Sequence, residues 1–206
     1  MIDFRFAGMG LFTLIAALAP ARPLTGRTAL IVCSALLALT VARTLWVTSQ
    51  WRVASRDIGA VERALAPLPT GAALLSVEAA PFNAERAARW PRLAGQWFLH
   101  THYPLRAVVL RQAFVPGLFA FAGRQPVTVL EPWRRLAAPD TMQPLPSDLA
   151  RSKDPRLHAA FPHLASWRAD FQYLLVLDAA SPAAEPLPGG LELVADEGFA
   201  RLYRIR

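Results

Sequence analysis

Residues Thr28–Val47 have the sequence TALIVCSALLALTVARTLWV, an apolar run whose only charged residue is Arg43 near its end. About 20 residues at a rise of 1.5 Å per residue cover the roughly 30 Å hydrocarbon layer of a bilayer. Arg43 lies within snorkelling distance of an interface, which the nearby Trp46 and Trp51 would also favour. The run therefore predicts a transmembrane helix over residues 28–47.

A second apolar segment, FAGMGLFTLIAALA, precedes this run at Phe6–Ala19. It predicts a first span over about residues 4–20, so that residues 1–50 form a transmembrane hairpin. Two alternatives stay open: the hydrophobic region of a signal peptide, given the small residues around Pro20, and a buried helix of a soluble protein. The hairpin is favoured because an acid, Asp3, lies in the amino-terminal segment and the second span follows after a short turn.

The turn between the two apolar segments carries Arg22 and Arg27, and short basic turns favour the cytoplasmic side of a membrane. Long downstream domains cross the membrane largely regardless of their charge. We therefore expect a multi-pass protein of the bacterial inner membrane, with both termini and the domain at residues 51–206 outside the cytoplasm.

The composition is typical of a membrane-tethered globular protein. Hydrophobic residues make up 54% and charged residues 18% of the 206 residues, and the mean hydropathy is +0.28. The net charge of +7 comes almost wholly from arginines that are scattered singly, which argues against nucleic-acid binding and favours attraction to anionic headgroups. Cys33 is the only cysteine, so an intramolecular disulfide and a cysteine-based metal cluster are excluded.

Beyond the apolar segments, helical and strand-like patterns alternate, with a proline-rich surface excursion at about residues 131–152. The continuous apolar run YLLVLD is typical of a central strand that is covered on both faces. The predicted helices are 52–65, 104–114 and one that starts at Asp154, and the predicted strands are 72–77, 125–130, 173–178, 191–195 and 199–205. We expect two amino-terminal transmembrane helices followed by an α/β domain with a mostly parallel sheet, helices packed on it and a carboxy-terminal β-hairpin.

Three segments resemble the extracytoplasmic tail of bacterial GT-C class glycosyltransferases, which use lipid-linked sugars. They are LPTGAALL at Leu68–Leu75, RQAFVPGLFAFAGRQPVTV at Arg111–Val129 and LVADEGFARLYRI at Leu193–Ile205. In such enzymes a bundle of membrane helices carries the chemistry, and a small α/β domain follows the last span. The resemblance covers the chain from about residue 28 to its end, and it implies a carboxy-terminal module of this kind.

The acidic motif that those enzymes carry on their first extracytoplasmic loop has no counterpart here. Asp3 is the only acid before residue 57, so no position can take over the family's catalytic carboxylate. The resemblance therefore implies a free-standing or truncated module without activity of its own.

Candidate contacts to a ligand or to headgroups come from five residues: His100, His102, Arg106, Arg111 and Asp178. On a strand, the two histidines of the HTH triplet would face the same side and could ligate a metal, although buried or interfacial histidines are commoner. Asp178 ends the predicted central strand, where α/β sheets often place ligand contacts, although a solvated loop acid is commoner. We expect no catalytic residue that can be named, and neither a cofactor nor a metal ion.

The favoured function is a non-catalytic accessory or binding module at the bilayer, which contacts a polyprenyl-phosphate-linked sugar or a partner membrane protein. One alternative is a stand-alone membrane enzyme whose site uses His100, His102 and an acid. A second alternative is a structural subunit of a larger membrane complex, in which the apolar segments pack against helices of its partners.

Overall fold

The structure is a computed structural model that describes residues 26–81, 92–93, 97–118, 128–138 and 142–206. The described residues divide into two compact units, one ending at Arg52 and the other starting at Val53. The first predicted span, at about residues 4–20, lies outside the described residues.

The described residues form five α-helices, three short 3₁₀ helices and six strands. The α-helices are α1 (Gly26–Ala64), α2 (Arg106–Arg111), α3 (Pro146–Ala150), α4 (Pro155–His158) and α5 (Trp167–Asp170). Short 3₁₀ helices cover Leu99–Leu105, Trp133–Leu136 and Pro162–Leu164. The strands are β1 (Leu74–Glu78), β2 (Arg92–Leu93), β3 (Trp97–Phe98), β4 (Tyr173–Leu177), β5 (Leu191–Asp196) and β6 (Ala200–Ile205).

Helix α1 contains the apolar run and is long and apolar enough to cross a membrane. Its best 18-residue window has a mean hydropathy of 2.0, and none of that window is buried. Its hydroxyl groups bond within the helix: Thr40 Oγ1 donates to the carbonyl of Leu36 at 2.9 Å, and Thr44 Oγ1 to that of Thr40 at 2.8 Å. Such bonds satisfy hydroxyls that would otherwise be costly in lipid. Within the described residues, α1 is therefore the one helix that meets the length and hydropathy of a membrane span, and it is consistent with membrane association.

The end of α1 belongs to the folded domain. Val61 and Ala64 are fully buried, as is Leu65 just after the helix, and they pack against apolar residues of β1, β4 and β6. The segment predicted as a separate helix at 52–65 is instead the last part of α1. The helix ends at Ala64, and the proline-containing segment PLPTG that follows cannot continue it.

The main sheet has four strands in the order β1, β4, β6, β5, and its strands run in mixed directions. The pair β1–β4 is parallel, whereas β4–β6 and β6–β5 are antiparallel. The expectation of a mostly parallel sheet is therefore not confirmed. The predicted hairpin is present, but its strand β6 pairs directly with β4 and so places an antiparallel neighbour in the middle of the sheet. The apolar run of β4 reports burial on both faces and says nothing of strand direction.

Both faces of the sheet are covered by apolar side chains. Side chains on one face, such as Leu74 and Leu175, meet the end of α1 together with Tyr103 and Ala107. On the other face, which includes Leu75, the packing residues come from α3, α5 and the loops around them. The edge of β1 is also covered: Leu74 N–H donates to Phe114 at 2.9 Å, and Glu78 N–H donates to Pro144 at 3.0 Å. This cover explains why every residue of β1 is buried although β1 ends the sheet.

Several sequence-based boundaries differ from the structure. The helix predicted at 104–114 is a 3₁₀ helix that contains Pro104, followed by α2, which stops where Gln112 adopts a φ of 51°. Of the strand predicted at 125–130, the described residues 128–130 form no strand. The helix predicted from Asp154 begins there, with Asp154 Oδ1 accepting from the backbone N–H of Arg156 at 3.0 Å, but α4 ends before Pro162.

Candidate functional site

Two acids lie at the carboxyl ends of the parallel strands β1 and β4. Glu78 is the last residue of β1 and pairs in register with Leu177, which is followed by Asp178. Parallel neighbours place the residues at these ends side by side, which is where α/β sheets usually bind ligands. Here both acids are buried, with 7% and 6% of their surface exposed. Asp178 is therefore not the solvated loop acid that its position suggested, and its φ of 53° holds it in the left-handed region.

His100 contacts the first of these acids, Glu78. Its Nε2 lies 3.0 Å from Glu78 Oε1, and only 3% of the His100 surface is exposed. Burial of a carboxylate is costly unless it has a polar partner, so this contact stabilises the position of Glu78. Glu78, His100 and Asp178 are called the acidic end of the sheet below.

His102 does not join His100 on one face, as the strand interpretation required. The two histidines lie on the 3₁₀ helix Leu99–Leu105, where residues two apart point in different directions because each turn takes three residues. His102 is half-buried, whereas His100 is buried. Among the described residues, no group of three or more histidine, cysteine or acidic side chains is arranged to hold a metal ion. The described residues therefore offer no third ligand that would complete a metal site with His100 and His102.

Arg106 and Arg111 attach α2 to the end of α1. Arg106 Nε donates to Glu62 Oε1 at 2.8 Å, and its Nη2 contacts the same oxygen. Arg111 Nε donates to the carbonyl of Leu65 at 3.2 Å, and its Nη2 bonds the carbonyl of Ala66. Carbonyls at a helix end lack partners within the helix and carry partial negative charge, so an arginine there satisfies them. Both arginines therefore hold the fold together, and Glu62 is the partner that sequence reasoning missed.

A basic cleft lies at the opposite end of the sheet, where β1 and β4 begin. It has a volume of about 640 Å³ and lies between the loop Pro69–Ala72, the end of α5 and the end of β6. Arg168 and Arg204 line it together with Gln172 and Tyr173. This group is called the basic cleft below. Sequence reasoning missed both arginines, although the LPTG segment that it singled out forms one wall.

His163 is a neutral histidine of the apolar interior. Only 2% of its surface is exposed, and its ring makes edge contacts with Phe161 and Phe171 at centroid distances of 6.0 and 6.3 Å. Burial lowers the pKa of His163 to about 4, because the apolar surroundings disfavour the charged form. This side chain is thus a packing residue at neutral pH.

Comparison with known proteins adds no further evidence about the site. The chain matches no protein-family model, and no curated protein and no solved structure matches it. The functional argument therefore depends on the chemistry of the residues described above.

Proposed function

We propose that this protein is a non-catalytic binding module, held in the bacterial inner membrane by α1, whose extracytoplasmic domain contacts a polyprenyl-phosphate-linked sugar or a partner membrane protein. The observation that carries the proposal is the exposure of the apolar window of α1. Leu30, Leu39 and Leu45 each expose about two thirds of their surface, at 67, 68 and 66%. Apolar side chains exposed along a helix of this length are stable in lipid and unfavourable in water.

The amount of exposed helix fits a bilayer. At 1.5 Å per residue the part from Gly26 to Arg52 is about 40 Å long, which exceeds the roughly 30 Å of hydrocarbon. The core residues after Val53 behave differently, because apolar side chains of β1 and β4 are buried on both faces of the sheet and the end of α1 is buried against one of them. This contrast supports a membrane helix joined to a domain that folds in water.

The absence of catalysis is supported by the state of the acidic end. Glu78 and His100 form a contact between a carboxylate and an imidazole, yet both side chains are buried, and neither belongs to the lining of the basic cleft described above. A general base must come within hydrogen-bond reach of a substrate proton. The alternative of a stand-alone enzyme using His100, His102 and an acid requires this region to open.

The membrane part of the proposal can be tested with Cys33, the only cysteine of the chain, which is exposed on α1. In membranes from cells that express the full chain, a membrane-impermeant maleimide should leave Cys33 unlabelled until detergent is added. The matched control is Cys33→Ser combined with Ala180→Cys, which moves the thiol to an exposed residue of the domain. When the same reagent is applied to intact cells instead of isolated membranes, the cysteine of this control should be labelled if the domain is extracytoplasmic. Rapid labelling of Cys33 without detergent contradicts a lipid environment for α1.

The binding part is tested with the purified full chain in phosphatidylcholine nanodiscs that contain a polyprenyl-phosphate-linked sugar. We expect the lipid to bind and to be recovered chemically unchanged, as measured by mass spectrometry. Release of the sugar contradicts the non-catalytic assignment and favours the enzyme. If the chain instead co-purifies with one membrane protein and does not bind the lipid, the partner is that protein.

A further inference from the structure

The basic cleft has the dimensions of a ligand site. Its volume of about 640 Å³ falls within the range of roughly 300–1,000 Å³ that is usual for small-molecule pockets. Three separate parts of the chain form its walls: the loop after α1, the segment Arg168–Tyr173 and the end of β6. Because the sheet register fixes β4 against β6, with Tyr173 opposite Arg204, two of these walls are held rigidly.

Arg168 lines the basic cleft and also a neighbouring cleft that includes Trp167 and Pro188, and two contacts outside the lining of the basic cleft hold its guanidinium while leaving most of its donors available. Its Nη2 donates to the carbonyl of Gly189 at 2.6 Å, and its guanidinium lies 4.4 Å from the centre of the Trp167 ring. A guanidinium has five N–H donors, so one bond to Gly189 leaves others for a ligand. Gly190 permits this arrangement, because a Cβ there would lie 3.0 Å from Arg168 Nη1, and its φ of +78° favours glycine.

The arginines of the cleft have an acidic neighbour on β5: Glu192 lies opposite Arg204 in the register, but its ion pair is with Arg206. Neither Arg168 nor Arg204 forms an ion pair with a described carboxylate, whereas the arginines at positions 63, 106, 135 and 201 each do. No acidic residue belongs to the described lining. Arg204 lies 6.0 Å from the centre of the Tyr173 ring, which is also part of the wall. Two guanidiniums in a cleft without acids favour an anion.

We propose that the basic cleft binds the phosphate group of an organic phosphate. Guanidinium forks match phosphate oxygens in geometry, and their charge-assisted hydrogen bonds to phosphate are stronger than bonds between neutral groups. Pro69, Phe171 and Ile205 give the cleft apolar surface for the organic part of the ligand. That the phosphate belongs to a lipid-linked molecule rests on the proposed function. That the cleft binds an anion rests only on its two arginines.

The test uses the full chain in phosphatidylcholine nanodiscs and three probes: inorganic phosphate, glucose 1-phosphate, and undecaprenyl phosphate placed in the nanodisc, with undecaprenol as the uncharged lipid control. Tryptophan fluorescence reports binding, since Trp167 contacts Arg168. The double variant Arg168→Gln/Arg204→Gln should weaken binding about tenfold or more, because it removes charge-assisted hydrogen bonds. The matched control, Arg134→Gln/Arg156→Gln, removes the same charge from two exposed arginines outside the cleft and should bind within about twofold of the parent.

A second variant separates position from charge. Gly190→Ala keeps the net charge but pushes on Arg168 Nη1, so it should weaken phosphate binding several-fold while the control pair does not. Tight binding of undecaprenyl phosphate that the cleft variants abolish supports both the cleft and the lipid-linked partner. Binding of glucose 1-phosphate alone, lost in the same variants, supports the cleft and contradicts the lipid-linked source. Equal loss in cleft and control variants, or no binding of any probe, overturns the cleft proposal and leaves the labelling result for Cys33 intact.

Discussion

The two ends of the parallel strand pair β1–β4 hold opposite kinds of charged residue, buried at one end and exposed at the other. At the carboxyl ends, Glu78 and Asp178 are buried and Glu78 contacts His100, so the acids belong to the interior. At the amino ends, Arg168 and Arg204 are exposed around a cleft of about 640 Å³. The usual rule places ligands at carboxyl ends, yet both acids described at that end are buried. The position of a residue along its strand therefore does not by itself give its access to solvent.

The largest effect is expected from opening the acidic end. Glu78→Ala removes the carboxylate that His100 contacts and should lower the free energy of unfolding by about 2–3 kcal/mol, because a buried imidazole then loses a polar partner. Denaturant unfolding of the detergent-solubilised full chain, followed by tryptophan fluorescence, measures this loss. The matched control is Glu192→Ala, which breaks an exposed contact with Arg206 and should cost at most about 1 kcal/mol. If Glu78→Ala and Glu192→Ala lower the free energy of unfolding equally, the acidic end contributes no more to stability than an exposed ion pair.

A second effect tests whether the interior next to the acidic end excludes water. His163 lines a small cavity with Ser76 and Pro144, and burial lowers the pKa of His163 from 6.5 to about 4. Between these values the unfolded chain binds more protons than the folded one, so stability is complete above about pH 6.5 and falls as the pH approaches 4. We expect the free energy of unfolding to be about 2 kcal/mol lower at pH 5 than at pH 7 from this group.

The control for this titration is His163→Phe, which keeps an aromatic ring between Phe161 and Phe171. The difference between the parent and the variant across the same pH range isolates the histidine. If the two curves are parallel from pH 7 to pH 5, the ring of His163 is hydrated in the folded protein.

A smaller effect separates structural arginines from those of the basic cleft. Arg111→Met keeps the apolar stem but removes the donors to the carbonyls of Leu65 and Ala66, which should cost about 1–2 kcal/mol. Arg156→Met, at an exposed arginine on α4, is the control and should change stability by less than about 0.5 kcal/mol. Identical unfolding curves for the two variants would show that Arg111 does not cap α1.

The smallest effect is expected in the basic cleft itself. Arg168→Gln/Arg204→Gln should lower the free energy of unfolding by only about 1 kcal/mol, because it removes the exposed bond of Arg168 to Gly189 and its contact with Trp167 but breaks no ion pair with a described carboxylate. The same unfolding measurement applies. If the free energy of unfolding falls by 2 kcal/mol or more, these arginines have a structural role, and the two ends of the strand pair do not differ in the way described above.

The local elements were the most predictable parts of the fold. The strand β4 and the hairpin β5–β6 lie where the patterns place them, because an apolar run and the turn around Gly198, with its φ of +70°, are encoded by neighbouring residues. The direction of the sheet was not predictable in this way. It depends on β6 pairing with β4, which lies far from it in the chain, and periodicity carries no signal for such pairing.

The candidate residues follow the same division. Asp178 was placed correctly at the end of a strand, but its burial depends on segments that are distant in sequence. Arg106 and Arg111 were interpreted as headgroup contacts because an arginine beside aromatics has the same composition whether it faces lipid or a helix end. Their partners, Glu62 and the carbonyls after α1, become visible only when α2 packs against α1.

The sequence by itself determined that the chain contains a helix suited to lipid, since hydropathy over about 20 residues is a local property that needs no partner. It also determined which short segments form the central strand and the hairpin. Only the tertiary structure decided the mixed sheet, the closure of Glu78 by His100 and the meeting of Arg168 and Arg204 in one cleft. Each of these joins residues from separate parts of the chain, and their proximity is fixed by packing and strand pairing, which no local pattern records.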